Sequence, residues 1–146
     1  ARDGCAAVMR QHDGRSEKTV LREKLLAHFG ITEVEDVIPK LYTEKVELSP
    51  FAEKAFQAVV ERDRVARQIL VKNASDLVEL VRILTLAHPP KHKLPVCLMG
   101  GLLEGDNEYS KLVREKLAAT LPQIVVQKPK FQAAFGAAIL GLNAFR

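Results

Sequence analysis

Tryptophan is absent, and aromatic residues of all kinds make up only 5% of the chain. Groove-like nucleic-acid sites stack bases on interleaved aromatic side chains, and nothing here offers that. Cysteine is equally scarce: Cys5 and Cys97 are the two present, far apart in sequence and in no CxxC spacing. That excludes a disulfide framework and a thiolate metal centre, and a reducing, cytoplasmic compartment is expected. Cys97 lies in an apolar run and reads as a small buried hydrophobe. No run approaches the roughly 18 apolar residues of a membrane span, and no basic stretch followed by an apolar one opens the chain. Neither a GxGxxG fingerprint nor a GxxxxGK[ST] loop occurs. No Ser/His/Asp or Cys/His constellation is readable, so no catalytic residue is assigned. His88 and His92 have ligand spacing only on a helix, and Pro89 and Pro90 between them forbid one; no metal site is assigned.

What is present is an ordinary globular composition with a small excess of positive charge. Lys plus Arg number 22 and Asp plus Glu 18, a formal net charge of +4. The charges do not cluster: 15–24 (RSEKTVLREK) and 61–67 (ERDRVAR) mix both signs, as solvated helix faces do. No nucleic-acid patch and no membrane partner are expected. The length, 146 residues, suits one domain. The chain does not begin with Met, and its first residues resemble a helix interior without an N-cap. A fragment or processed piece is therefore expected.

Apolar spacing predicts helices over 1–12, closed by Gly14, and over 19–29, closed by Gly30. Thr32-Glu33-Val34-Glu35 has the form of a capping box, and Pro39 should kink or split the helix it starts. Ser49 is the expected N-cap, with Pro50 at the first helical position. The apolar pattern then runs to Leu84, with a break expected at Glu61-Arg62-Asp63-Arg64. Residues 88–93, with paired prolines, form a loop.

Beyond the loop the texture changes. Leu94 to Met99 is a short continuous apolar run, typical of a buried parallel strand, and it ends in Gly100-Gly101. Asp106 or Asn107 should cap an amphipathic helix reaching about Thr120. Ile124-Val125-Val126 is a second strand, and a final helix covers Phe131 to Phe145 with Phe135, Ile139 and Leu142 aligned. Residues 94–126 thus form one β-α-β unit with a right-handed crossover. The fold class expected is α/β, helix-rich over 1–87, with 94–146 as a β-α-β-α part. Two strands make a poor sheet, so further strands should come from another segment, preceding Ala1.

The junction VCLMGGLLEGDNEY carries the most chemical information. A glycine pair at the carboxyl end of a parallel strand removes two Cβ atoms where open α/β sheets bind ligands. A flat base or ribose could rest on bare backbone there; a tight turn without a ligand explains the glycines equally. Gly136 and Ala137, with Ala133, Ala134 and Ala138, form a small-residue face, for close packing first and a nucleotide pocket second. Asp106 reads as a helix cap before a catalytic carboxylate. His12 and His28 sit near helix ends, where positive charge suits the dipole.

Four stretches taken in order, ARDGCAAVMRQHDGRSEKTVLREKLLAHFG, SPFAEKAFQAVVERDRVARQIL, PVCLMGGLLEGDNEYSKLVREKL and FQAAFGAAILGLNAF, resemble the C-terminal part of the BadF/BadG/BcrA/BcrD-type ATPase family, which includes N-acetylglucosamine kinases. The resemblance implies an actin/hexokinase/Hsp70-type fold of two ribonuclease-H-like lobes, with ATP and Mg in the cleft. It implies that Gly100, Gly101 and the following Leu102 lie against the adenosine. Gly136 and Ala137 match the family's Gly-Ala in the final helix. Arg62-Asp63 stands where the family has Gly-Asp near the nucleotide, so Asp63 is a candidate contact although its glycine is lost. The family's phosphate loops, catalytic aspartate and Gly-Asp-Glu-Gly-Ser-Gly loop have no counterpart here, and the Mg ligands would lie outside this chain. The implied function is the nucleotide-holding half of an ATP-dependent sugar kinase or ATPase, inactive alone, whose sugar substrate meets the missing half. The alternative is a non-catalytic helical interaction module that forms a homodimer or binds a partner through an open strand edge.

Overall fold

Glycine punctuation sets the first helices. In the computed structural model, which describes residues 1–87 and 93–144, α1 spans Arg2–His12. It ends where Gly14 turns left-handed at φ +73°. The Gly14 N–H donates to the Gln11 carbonyl (3.0 Å) and the Arg15 N–H to the Arg10 carbonyl (2.8 Å), a Schellman closure. Helix α2, Leu21–Phe29, ends at Gly30, also left-handed at φ +62°.

The expected capping box at Thr32 does not form. Glu33 is the N-cap without a side-chain bond, and a 3₁₀ turn, Val34–Asp36, leads into α3, Val37–Tyr42. The Glu35 carboxylate lies 2.8 Å from His12 Nε2, so a distant imidazole takes the oxygen that a capping box needs. Pro39 falls in the first turn of α3, where its missing N–H has no intrahelical acceptor to lose. Helix α4, Phe51–Val60, starts after Ser49 and Pro50, without a side-chain cap; the Ser49 hydroxyl bonds the Glu47 carboxylate instead.

The break at the charged tetrad is present: α4 stops at Val60 and α5 runs Arg64–Ala87. The closure repeats that of α1, with the Arg62 N–H donating to the Val59 carbonyl and the Asp63 N–H to the Ala58 carbonyl, both 2.9 Å. Arg62 occupies the left-handed position at φ +64°. The backbone therefore keeps the conformation that glycine favours, at a cost of about 1 kcal/mol for a residue with a Cβ.

The chain divides into two compact units, Ala1–Lys72 and Asn73–Arg146. The division falls inside α5, not in the proline loop, and residues 88–92 of that loop, with His88 and His92, lie outside the described residues. In the first unit α1 packs on α2 and α2 on α4, around fully buried Val8, Leu21, Leu25 and Phe51. Gly4 lets the Phe51 ring approach, since a Cβ there would stand 3.2 Å from it. His28 packs against the Phe29 and Phe51 rings, with centroids 4.8 and 5.6 Å away.

The second unit contains the β-α-β element. Strand β1, Leu94–Cys97, pairs in parallel with β2, Ile124–Gln127, in the register Leu94↔Ile124 to Cys97↔Gln127. Between them lie α6, Gly101–Glu104, and α7, Glu108–Thr120; α8, Ala133–Ala144, follows. One sheet face is covered: Leu94, Val96, Ile124 and Val126 meet Ala74 and Val78 of α5 and Val113 and Leu117 of α7. The opposite face carries Pro95, Cys97, Val125 and Gln127, all exposed.

Two expectations change here. Cys97 is exposed and Cys5 is the buried thiol, because side chains alternate across a strand and only the other face of β1 meets helices. Helix α8 buries none of its residues, so the expected close packing of its small-residue face is not seen, and a Cβ added at Gly136 would meet no atom within 4 Å. Among the described residues no helix is long and apolar enough to cross a membrane.

Candidate functional site

The carboxyl end of β1 is where ligands meet parallel sheets. There the chain passes through Gly100 at φ +94°, ψ +154°, a region essentially closed to residues with a Cβ. The Gly100 carbonyl accepts the N–H groups of Leu103 (2.9 Å) and Glu104 (3.0 Å), which starts α6. Gly100 thus has a purely conformational reason to be glycine. Gly105 has a steric one: a Cβ there would stand 3.1 Å from Asn107 Nδ2 and 3.4 Å from the Gly101 carbonyl.

Gly101 has neither reason. Its φ is ordinary, it is exposed, and a Cβ built on it meets nothing within 4 Å. A glycine weakens a helix by up to about 1 kcal/mol relative to alanine, so the bare position is unfavourable for folding and leaves the backbone open to solvent. Leu102, 45% exposed, follows as an apolar wall.

The loop that carries this shelf is fastened from behind. Asn107 caps α7 through a reciprocal pair: the Ser110 N–H donates to Asn107 Oδ1 (2.9 Å) and the Asn107 N–H to Ser110 Oγ (3.4 Å). Asn107 Nδ2 also donates to the Leu102 carbonyl (3.0 Å), and Ser110 Oγ to the Gly105 carbonyl (2.5 Å). Between the two candidate caps it is Asn107 that serves. Asp106 pairs with Lys111 at 3.0 Å, and that hydrogen bond with its charge attraction raises the Lys111 pKa. Tyr109 on α7 donates to the Asn73 carbonyl at 3.4 Å; burial, then the Asp76 charge, pushes its phenol pKa up.

Asp63 belongs to the first unit, and its carboxylate is engaged by its own chain. Oδ1 accepts from Thr19 Oγ1 (2.9 Å) and from the Ala66 N–H (2.7 Å), and Oδ2 accepts from the Val20 N–H (2.9 Å). It therefore caps α5 and ties residues 19–20 to the turn. Gly100, Gly101, Leu102, Gly136 and Ala137 all belong to the second unit, where Gly136 and Ala137 lie in α8 without buried neighbours.

Among the described residues no three His, Cys, Asp or Glu side chains are grouped to hold a metal ion. The shelf can offer backbone, an apolar wall and van der Waals contact to a planar group. Sequence reasoning named Asn107 as a candidate cap but missed the bonds by which Asn107 Nδ2 and Ser110 Oγ fasten the loop.

No family model matches the chain, and no solved structure matches it. The chain is 25% identical over 138 residues to an N-acetylmuramic acid/N-acetylglucosamine kinase of Clostridium acetobutylicum, a match covering 92% of this chain and 45% of that protein. The chain thus spans less than half the length of that relative, and its likeness to a sugar kinase is distant.

Proposed function

We propose that this chain is the nucleotide-holding part of an ATP-dependent amino-sugar kinase or related ATPase, with Gly100, Gly101 and Leu102 as the seat of the adenosine. The observation that carries it is Gly101, a glycine that neither conformation nor packing requires, at the carboxyl end of a parallel strand. The distant match to a kinase of N-acetylmuramic acid and N-acetylglucosamine supports it. Bound ATP would supply the transferable phosphoryl group, and this chain's share is to bind and orient the purine end. Phosphoryl transfer rests on positioning and charge stabilisation, and the groups for that, Mg ligands included, would come from polypeptide beyond these residues. The lobe so formed would be the C-terminal part of a ribonuclease-H-like domain, with its remaining strands supplied from the same source. Asp63, already engaged by three donors of its own chain, would act by holding the turn rather than by touching the nucleotide. Gly136 and Ala137 would face the pocket from the start of α8.

The test is an equilibrium titration with adenosine and ATP, read by ligand-observed NMR so that weak binding is measurable. Gly101→Val should abolish saturation transfer to the purine protons while the far-ultraviolet circular dichroism stays unchanged. Undiminished transfer in that variant removes Gly101 from the site.

A second function is favoured by the sheet itself. Among the described residues it has two strands and two free edges, and the unit exposes Leu80, Leu84, Val125, Leu140 and Leu142. The edges are not equal. The Leu94 N–H donates to the Gln123 carbonyl across the ladder (2.9 Å), so alternation turns Pro95, which has no N–H, toward the free edge of β1. Self-association by strand pairing would therefore use β2, through Val126. Light scattering that finds a monomer at high concentration rejects it.

A further inference from the structure

We infer that Lys128 and Lys130 form a cationic rim to the glycine shelf, so that its ligand is a nucleoside polyphosphate and not a nucleoside or free base. This rests on the nucleotide-binding function proposed above. The parallel register sets Cys97 beside Gln127 as the last pair, so both strands end level and their next residues leave at the same edge of the sheet. Gly100 comes three residues after Cys97 and Lys130 three after Gln127. A chain travels at most about 3.3–3.6 Å per residue, which keeps the glycines and both lysines within one small ligand's length of the final rung.

The lysines are available. Both are exposed, and among the described residues neither makes an ion pair, whereas Lys24, Lys40 and Lys111 each do. No Asp or Glu occurs between Lys116 and Arg146, so nothing in their own segment neutralises them. Pro129 between them fixes one backbone angle and limits how far the two ammonium groups can part. The acidic residues that follow the glycines in sequence are Glu104, Asp106 and Glu108; Asp106 is occupied by Lys111. A lysine ammonium is a compact point charge suited to phosphate oxygens. A neutral adenosine gains nothing from it, whereas a triphosphate tail reaching past the shelf does.

The experiment compares adenosine with ATP, each without added metal, on the wild-type chain, on Lys128→Gln/Lys130→Gln and on Gly101→Val, at two salt concentrations. Wild type should bind ATP more tightly than adenosine, by about fivefold at low salt, two exposed charge contacts being worth roughly that. The advantage should shrink at high salt. The double lysine variant should lose that advantage and bind adenosine as wild type does; Gly101→Val should lose both ligands. A lysine variant that keeps the ATP advantage while Gly101→Val still loses both ligands overturns the rim alone. Wild type failing to bind either ligand, or Gly101→Val binding both normally, overturns the shelf and the rim together. Circular dichroism of each variant verifies the fold, and Lys128→Arg/Lys130→Arg should restore the ATP preference.

Discussion

Replacing Asp63 by alanine should destabilise the first unit by about 3 kcal/mol. Three bonds set the figure. Loss of the α5 cap, the Ala66 N–H to Oδ1 at 2.7 Å, costs about 1 kcal/mol. Thr19 Oγ1 and the Val20 N–H each lose a carboxylate acceptor at 2.9 Å. Such bonds are worth about 1.5–3 kcal/mol when buried; with Asp63 only half-buried, about 1 kcal/mol apiece is appropriate. Thr19 itself is buried, so its hydroxyl cannot turn to water for a replacement. Asp63→Asn keeps one acceptor oxygen and turns an amide toward a donor, so it should lose about half as much. Thr19→Val should lose about 1 kcal/mol, and its loss should not add to that of Asp63→Ala because the two share a bond. Urea unfolding followed at 222 nm suits a chain without Trp and reports the shift in midpoint. Hydrogen exchange at the Val20 and Ala66 amides localises it. A loss for Asp63→Ala below about 0.5 kcal/mol, with both amides still protected, refutes the reasoning.

Three further outcomes follow from other parts of the molecule. Arg62→Gly should stabilise the chain by about 0.5–1 kcal/mol, since glycine relieves the left-handed strain at φ +64° more than it adds unfolded-state entropy; thermal melts measure it. Gly101→Val should leave the melting temperature within about two degrees of wild type, because the position is exposed and a Cβ there meets nothing within 4 Å; a larger fall indicates a hidden packing role. Iodoacetamide at neutral pH should label exposed Cys97 well before buried Cys5, whose thiol pKa burial pushes up, as mass mapping would read. The sign for Cys5 follows from the raised folded pKa: its contribution to stability is full below about pH 8.5, the unfolded value, and drains as pH rises through the folded value.

Local rules worked where one residue decides one backbone angle. Gly14 and Gly30 announced the ends of α1 and α2 through their freedom at positive φ, whereas Pro39 neither kinks nor splits α3, because it falls in the first turn. The break at 61–64 was legible as a gap in the apolar pattern, although the residue closing it is an arginine. The β-α-β unit was legible because the period changes from helical spacing to continuous apolar runs at Leu94 and Ile124. The capping misses share a cause in competition for polar partners, near in sequence at Ser49 and distant at Glu35 and Asp63. Glu35 left its capping box for His12, Ser49 turned to Glu47, and the Asp63 carboxylate was claimed by Thr19 and Val20, more than forty residues away in sequence. Cys97 was misplaced because an unbroken apolar run cannot say which face of a strand is covered. At the glycine shelf the pair itself was legible, but the distinct reasons for Gly100, Gly101 and Gly105 emerge only from φ angles and from what a Cβ would touch.

The most direct measurement is an amide chemical-shift map of the isotopically labelled chain during titration with ATP up to millimolar concentration. The adenosine seat predicts that the largest movements centre on Gly100, Gly101 and Leu102, extend to Lys128 and Lys130, and leave Val20 and Ala66 still. Shifts that are absent at the glycine pair, or that concentrate around Asp63 instead, contradict it.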